Sequence, residues 1–229
     1  MYLGNPSAHN LSAMLYNRTL LTALGTRRRF SASTVDQMPR QVAAAYVFAT
    51  PVTVPVPDLD HTDYLVIIGA NPHASNGCLC TAPDFPGRIE RMRARGGTLV
   101  VIDPRRSRTA EEADRWIAIR PGTEFTADTV VAATGVLADD IRRLARELAA
   151  APTATATVYG RIGTTTTEFA TTASWLIEVV NICTGNLDRR GGAMFPKPVA
   201  GAPTLAAHPP RARGSRSVAA TRRCAGFPR

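Results

Sequence analysis

Two short aliphatic runs, separated by a segment of helical length, constrain the fold of this chain most. Residues 65–68 and 99–102 are entirely aliphatic, and each run ends abruptly at a small or polar residue, Gly69 and Asp103. Unbroken apolar runs are typical of parallel strands that are buried on both faces of a sheet. The intervening residues 85–95 can form a helix, so the pattern predicts a strand–helix–strand unit.

A third run, residues 116–119, ends at Arg120 and predicts a further strand beside the first two. In parallel sheets the carboxyl ends of the strands lie at one edge, and ligands bind in the crevice outside them. We therefore expect Gly69, Asp103 and Arg120 along one edge of the sheet, where they border a binding crevice.

The rest of the chain also alternates between helix and strand patterns. Helices are predicted over 10–24, 35–48 with a break at Pro39, 110–114, 139–150 and 168–184, a strand over 155–159, and loops over 160–167 and 185–192. The last helix is expected to bury Phe169, Ala173, Leu176 and Val180, with Cys183 also in the core. These elements predict an α/β fold with a Rossmann-like parallel sheet and flanking helices, in one domain over 1–198 whose strand–helix–strand part is 62–124.

Positive charge is concentrated at the end of the chain. The formal net charge is +9, and residues 199–229 contain six arginines and no acid, so the other residues carry +3, the difference between +9 and +6. No aromatic stacking pattern of the kind that single-strand binders use accompanies the basic residues, which argues against nucleic acid as a partner. Because residues 199–229 lack apolar periodicity, we expect a disordered basic tail.

The cysteines and the apolar runs exclude several other classes. Cys78, Cys80, Cys183 and Cys224 do not have the spacing of a zinc or iron–sulfur site, so no iron–sulfur cluster is expected in this chain. No apolar run approaches the roughly 20 residues that a membrane-spanning helix needs. The first residues lack the features of a signal peptide, and the protein is expected to be cytoplasmic with no membrane partner.

The strand-end residues suit a nucleotide, although the standard motifs are missing. A tight turn at Gly69 exposes amide groups of the kind that bind phosphate, but neither G-x-G-x-x-G nor a P-loop is present. Asp103 is placed like the acid that accepts ribose hydroxyls, and the arginines at 105, 106 and 108 could contact phosphate. The alternative is that Asp103 simply opens a turn and the arginines are surface residues. No catalytic side-chain set is evident, so redox chemistry would need a bound cofactor.

Six segments together resemble the catalytic subunit of the molybdopterin oxidoreductases, the group of formate dehydrogenases, nitrate reductases and dimethyl sulfoxide reductase. They are LGNPSAHN at 3–10, IGANP at 68–72, VIDPRRS at 101–107, IRPGT at 119–123, YGRIG at 159–163 and TGNLDRRGG at 184–192. The segments occur in the family's order and extend over nearly all of residues 2–198.

The resemblance implies a cofactor in which two molybdopterin guanine dinucleotides hold molybdenum or tungsten. It assigns the diphosphate to Gly69, Ala70, Asn71 and Pro72, the guanosine to Asp103, Arg105, Arg106 and Ser107, the guanine edge to Gly122, Thr123 and Glu124, and the pterin region to Arg161, Gly163 and Thr166. Ser31 lies where formate dehydrogenases carry the metal-binding Cys or selenocysteine, which makes it a candidate oxygen ligand of the metal. Glu124 stands where the family usually has Asp.

The departures from the family lead to two hypotheses about function. In the family a long helical stretch follows the position of Thr123, but here the residues after Thr123 resemble the segment that lies beyond that stretch. No counterpart of the family's C-terminal barrel follows. These features are expected of a truncated, internally deleted catalytic subunit. The first hypothesis is therefore an oxidoreductase fragment that binds the dinucleotide, and the second is a non-catalytic remnant with at most weak guanine nucleotide binding. The sequence identifies neither a redox substrate nor an electron-transfer partner.

Overall fold

The computed structural model describes residues 1–4, 10–77, 82–120, 131, 133–151 and 155–196. The predictions made for Gly122, Thr123 and Glu124 and for the tail 199–229 lie outside these residues.

Helices and short strands alternate along the described chain. In order they are β1 Tyr2–Leu3, α1 Leu11–Ala23, β2 Phe30–Ser31, α2 Ser33–Asp36, α3 Met38–Phe48, β3 Val56–Pro57, β4 Tyr64–Ile68, α4 Pro72–Ser75, α5 Phe85–Ala94, β5 Thr98–Ile102, α6 Arg108–Glu111, β6 Arg115–Ile117, α7 Ala138–Ala150, β7 Ala156–Gly160, α8 Ile162–Thr165, α9 Ala170–Cys183 and β8 Ala193–Met194.

The central sheet has four strands in the order β6-β5-β4-β7, and every neighbouring pair is parallel. Leu65 pairs with Leu99 and Val101 with Trp116, which confirms the three predicted strands as adjacent and parallel. The chain adds β5 and β6 on one side of β4 and β7 on the other. The direction of strand addition therefore reverses between β4 and β7, and such a switch point is where open α/β sheets bind ligands.

The aliphatic strands are buried on both faces, as the unbroken runs predict. On one face α5 packs against alternate strand residues, in a cluster that includes Leu65, Ile67, Leu99, Val101, Phe85, Ile89 and Met92. On the other face α7 and α9 cover a second cluster, which includes Val66, Val100, Val158, Leu148 and Ile177. The two clusters place the core directly against the sheet and leave its carboxyl edge free for a site.

The buried face of α9 differs from the prediction. Its buried residues are Ala170, Ser174, Ile177, Glu178 and Asn181. The predicted core residues Phe169 and Leu176 are 46% and 42% exposed, and Cys183 is also exposed. The reason is that α9 packs against an edge strand and against α3, where backbone and arginine groups need polar partners.

Three local predictions are also corrected. The break in the 35–48 helix falls at Gln37, and Pro39 sits in the first turn of α3, where a missing N–H costs nothing. The predicted helix at 110–114 starts earlier, because the Ser107 hydroxyl caps α6 by accepting from the Ala110 N–H. The predicted loop 160–167 contains the short helix α8.

Two small sheets complete the described fold. β1 pairs with β2 in parallel, and β3 pairs with β8 in the antiparallel sense. Among the described helices, none has the length and apolar character that crossing a bilayer requires.

Candidate functional site

A cavity of about 560 Å³ opens at the carboxyl edge of the central sheet. It lies over the ends of β4 and β5 and is bordered by the turn that follows β7 and by α9. Its lining includes eight residues that the sequence singled out, Gly69, Ala70, Asn71, Asp103, Arg105, Ser107, Arg120 and Gly163. The predicted strand-end crevice is therefore present, and most of the nominated residues that the structure describes meet in it.

The floor of the cavity is a close backbone contact between the turns after β4 and β7. Gly69 has a φ of +58°, and the Gly163 N–H donates to the Gly69 carbonyl at 2.9 Å. A Cβ added at Gly69 would lie 2.7 Å from the Gly163 Cα, and a Cβ at Gly163 would lie equally close to the Gly69 Cα. Both positions require glycine, because the two turns touch where any side chain would separate them.

Side-chain hydrogen bonds tie the loop after β4 to the start of α6. The Thr109 hydroxyl donates to Asn71 Oδ1 at 2.8 Å and accepts from the His73 N–H at 3.2 Å. Pro72 is buried at the start of α4 and is not part of the cavity lining. These hydrogen bonds fix the loop, so the backbone that borders the cavity is preorganised.

Asp103 both forms a turn and borders the cavity. Its Oδ1 accepts from the Arg105 N–H at 2.9 Å, and its carbonyl accepts from the Trp116 indole N–H at 3.0 Å. The Arg106 guanidinium lies over the Trp116 ring, 5.8 Å from its centroid, so Arg106 stacks beside the cavity and does not line it. Asp103 therefore opens a turn, as the alternative interpretation predicts, and it also lines the cavity.

Arg161 is a buried cation at the switch point. It follows β7, is 7% exposed, and donates its backbone N–H to the Ile68 carbonyl at 3.2 Å. Its Nε and Nη1 atoms are buried and have no hydrogen-bond partner among the described residues. An unpaired buried charge is unfavourable, so this guanidinium suits an anionic partner that the described residues do not supply.

A second cavity, of about 460 Å³, adjoins the first. The nominated Thr166 lines it, together with Thr34 and Val35 of α2, and the two cavities share Thr167, Phe169 and Thr172. An elongated ligand could therefore extend from the strand-end turns toward α2.

Ser31, the candidate metal ligand, lies in β2 opposite Leu3, and its Oγ accepts from the Ser33 N–H at 3.3 Å. It lines neither of these two cavities. Among the residues that the structure describes, no group of three or more His, Cys, Asp or Glu side chains is placed to hold a metal.

Sequence reasoning missed the apolar wall of the first cavity. Ile162, Phe169 and Leu176 are exposed and line it, as does Thr134, whose carbonyl accepts from the N–H of the predicted Arg120 at 2.8 Å. The sequence showed the apolar spacing of α9, but we interpreted it as a core face and not as a cavity wall. The polar residues at 174, 178 and 181 were the available signal that a different face is buried.

Comparisons with known proteins identify the family of the chain. A family model described as molybdopterin oxidoreductase matches residues 5–199. The chain is 36% identical over 69 residues to a nitrate reductase of Shewanella frigidimarina, covering 30% of this chain and 7% of that protein. It is 35% identical over 68 residues to an F420-dependent formate dehydrogenase subunit alpha of Methanocaldococcus jannaschii, covering 30% of this chain and 9% of the relative.

Among solved structures, acetylene hydratase from Pelobacter acetylenicus has a similar fold, with a TM-score of 0.56 and 19% identity. The match covers 74% of this chain and 27% of that one. The chain thus spans a small part of the length of the relatives it matches. Because the family model extends over most of the sequence, this protein belongs to the molybdopterin oxidoreductase family.

Proposed function

We propose that the chain forms the dinucleotide-binding part of a molybdopterin-dependent oxidoreductase catalytic subunit and that it acts in the cytoplasm. The observation that carries this proposal is the switch-point cavity, which gathers Gly69, Asn71, Asp103 and Arg105 at the carboxyl ends of adjacent parallel strands. These positions supply turn amides, a carboxylate and a cation, the groups that bind a nucleotide's phosphates and its ribose or base.

The described residues fit the polar parts of a molybdopterin guanine dinucleotide. The turn at Gly69 to Pro72 would bind the diphosphate, and Asp103 with residues 105–107 would bind the guanosine. Arg161 lines neither cavity, but its buried Nε and Nη1 have no hydrogen-bond partner among the described residues, which suits an anionic group of the cofactor near Gly163 and Thr166. When bound, the molybdenum–pterin group would supply the redox chemistry, and the chain would orient it and shield it from water.

The remaining assignments extend the same proposal. Gly122, Thr123 and Glu124 would contact the guanine edge, and Ser31 would provide an oxygen ligand to molybdenum or tungsten. Ser31 lies two residues before α2, and Thr34 of α2 borders the second cavity. A cofactor that reaches the second cavity would therefore approach Ser31.

Calorimetric titration of the full chain with GDP tests the guanosine assignment. Replacing Asp103 with Ala removes a charged hydrogen-bond acceptor, and we expect the affinity to fall by about tenfold or more. Asp139→Ala is the control, because Asp139 lies on α7 with its side chain 97% exposed. Equal affinities for the wild type and Asp103→Ala would contradict the assignment.

The second hypothesis, a non-catalytic remnant with at most weak guanine nucleotide binding, rests on the internal deletion that the sequence suggests after Thr123. Expression in a host that makes the cofactor, followed by elemental and pterin analysis, separates the two. Molybdenum or tungsten near one atom per chain supports the oxidoreductase, whereas GDP binding without metal or pterin supports the remnant.

A further inference from the structure

The outer edge of β7 is completed by side chains instead of another strand. β7 is a terminal strand of the central sheet, so some of its backbone groups face away from β4. Asn181 of α9 pairs with Val158 through two hydrogen bonds of 2.9 Å, one to its N–H and one to its carbonyl. The amide side chain thus takes the place of a neighbouring strand in the middle of β7.

Arg40 of α3 performs the corresponding role at the end of β7 that borders the cavity. Its Nη1 donates to the Gly160 carbonyl, and its Nη2 donates to the Pro55 carbonyl at 3.0 Å. The guanidinium lies over the Tyr159 ring, 5.5 Å from the centroid, and the residue is 6% exposed. One buried cation therefore joins α3, the connector before β3 and the last residue of β7.

Glu178 of α9 holds this cation from the other side. Its Oε1 lies 3.4 Å from Arg40 Nη2, and both side chains are almost fully buried. Burial raises the pKa of Glu178, and the charge of Arg40 opposes that rise. Glu178 Oε2 and Arg40 Nε have no hydrogen-bond partner among the described residues, so the described contact between the two side chains is that of Oε1 with Nη2.

The Gly160 carbonyl directly precedes the turn that forms the cavity floor. Within the next three residues, the Arg161 N–H donates to the Ile68 carbonyl and the Gly163 N–H donates to the Gly69 carbonyl. Gly160 itself has no side chain that could provide the fixing contact. Arg40 supplies it from outside the strand.

We propose that Arg40, held by Glu178, is a positioning residue for the cavity: it fixes the end of β7 so that the turn at residues 161–163 stays against Gly69. The inference rests on the proposed function where it concerns ligand affinity. The geometric part does not depend on any ligand, because it concerns a backbone contact within the chain.

The test compares Arg40→Met with Arg115→Met in the full chain. Arg115 is also a largely buried, ion-paired arginine, but it binds Glu147 at the opposite end of the sheet. Amide hydrogen exchange is measured by NMR for Gly163, relative to Val100 in β5, so that a global loss of stability cancels. We expect the Gly163 to Val100 rate ratio to rise by about tenfold in Arg40→Met, the equivalent of one lost hydrogen bond, and to stay unchanged in Arg115→Met.

Arg40→Lys provides a conservative variant that keeps one donor near Gly160, and it should restore part of the Gly163 protection. In the same variants GDP affinity should fall as the rate ratio rises. An unchanged ratio in Arg40→Met, or an equal rise in Arg115→Met, would overturn the inference. If the wild type fails to bind GDP while the ratio behaves as expected, the proposed function fails and the positioning role stands. If Arg40→Met does not fold, Arg40→Lys takes its place in the test. A Gly163 to Val100 rate ratio identical to that of the wild type would then overturn the inference.

Discussion

The two ends of the central sheet use their polar residues in opposite ways. At the amino end, charged side chains are paired with one another. Glu147 of α7 accepts from the Tyr64 hydroxyl and from Arg115, whose Nη2 lies 2.9 Å away. At the carboxyl end, Asp103 and Arg105 border a cavity and the Arg161 guanidinium keeps buried nitrogen atoms without partners among the described residues.

The electrostatics of the amino end show that its carboxylates stabilise the fold. Burial alone raises the pKa of Glu147, but hydrogen bonds from Tyr64 and Arg115 outweigh it, and the pKa lies below its usual value. Burial likewise raises the pKa of Asp114, and the hydrogen bonds from Arg93 and the Leu99 N–H together lower it. Carboxylates whose pKa is lowered by folding add to stability at neutral pH.

The contrast lies in how charged groups are used: the amino end pairs them with one another, whereas the carboxyl end lines a cavity with Asp103 and Arg105. The closed amino end and the two apolar clusters hold the sheet together. The carboxyl end instead combines a glycine contact, exposed apolar residues of α9 and an Arg161 guanidinium with buried nitrogen atoms that have no partner among the described residues. Such a combination is typical of a site that a ligand completes.

The largest expected effect comes from breaking the glycine contact at the carboxyl end. Gly69→Ala introduces both an unfavourable positive φ and a Cβ 2.7 Å from the Gly163 Cα. We expect the free energy of unfolding to fall by about 3 kcal/mol or more, measured by urea denaturation. Gly25→Ala is the matched control, because Gly25 has a φ of +59° and no atom within 4 Å of its added Cβ.

The control should lose only about 1 kcal/mol, the cost of a left-handed alanine. The difference between the two variants then measures the close approach itself. Equal losses would show that the two turns do not touch in solution.

The next effect separates the two faces of α9. Ile177→Ala removes a buried side chain from the second core cluster, and we expect a loss of about 2 to 4 kcal/mol. Leu176→Ala removes an exposed side chain from the cavity wall and should cost about 0.5 kcal/mol or less in the same assay. A larger loss for Leu176→Ala than for Ile177→Ala would mean that the sequence-based choice of the buried face was correct after all.

The smallest effect concerns the amino end and depends on pH. Glu147→Gln should lower stability at pH 7 by about 1 kcal/mol, the upper range for partly exposed ion pairs. Because the folded pKa of Glu147 is depressed, its stabilisation is present above the unfolded pKa and is lost as pH falls through the folded pKa. The gap between wild type and Glu147→Gln should therefore close between about pH 5 and pH 3.

Asp139→Asn serves as the reference for this titration, because Asp139 forms an exposed ion pair with Arg142 on the same helix. It should change stability by less than about 0.5 kcal/mol at every pH. A gap between wild type and Glu147→Gln that widens in acid would contradict the assigned direction of the pKa.

The sheet and the cavity edge were predictable because their signals are local. Aliphatic runs that end at Gly69 and Asp103 specify both the strands and the place where they stop, and the order of β4, β5 and β6 follows from short crossovers. The position of β7 beside β4 is a tertiary result, which no local pattern in residues 155–160 indicates.

The missed features all depend on contacts between distant residues. α9 buries Glu178 and Asn181 because Arg40 and the edge of β7 need partners there, and this outweighs the apolar spacing of Phe169 and Leu176. The two-residue strands β1, β2, β3 and β8 are too short for any periodicity to reveal. That buried Arg161 nitrogen atoms have no partner among the described residues likewise becomes visible only in the folded chain.

The most direct test of a ligand-binding carboxyl end is residue-resolved NMR titration of the full chain with GDP. The account predicts that the amide signals of Gly69, Asp103 and Gly163 shift with a common dissociation constant, while those of Tyr64 and Arg115 at the amino end do not move. Saturable shifts confined to the amino end, or no saturable shift at any of these amides, would contradict it.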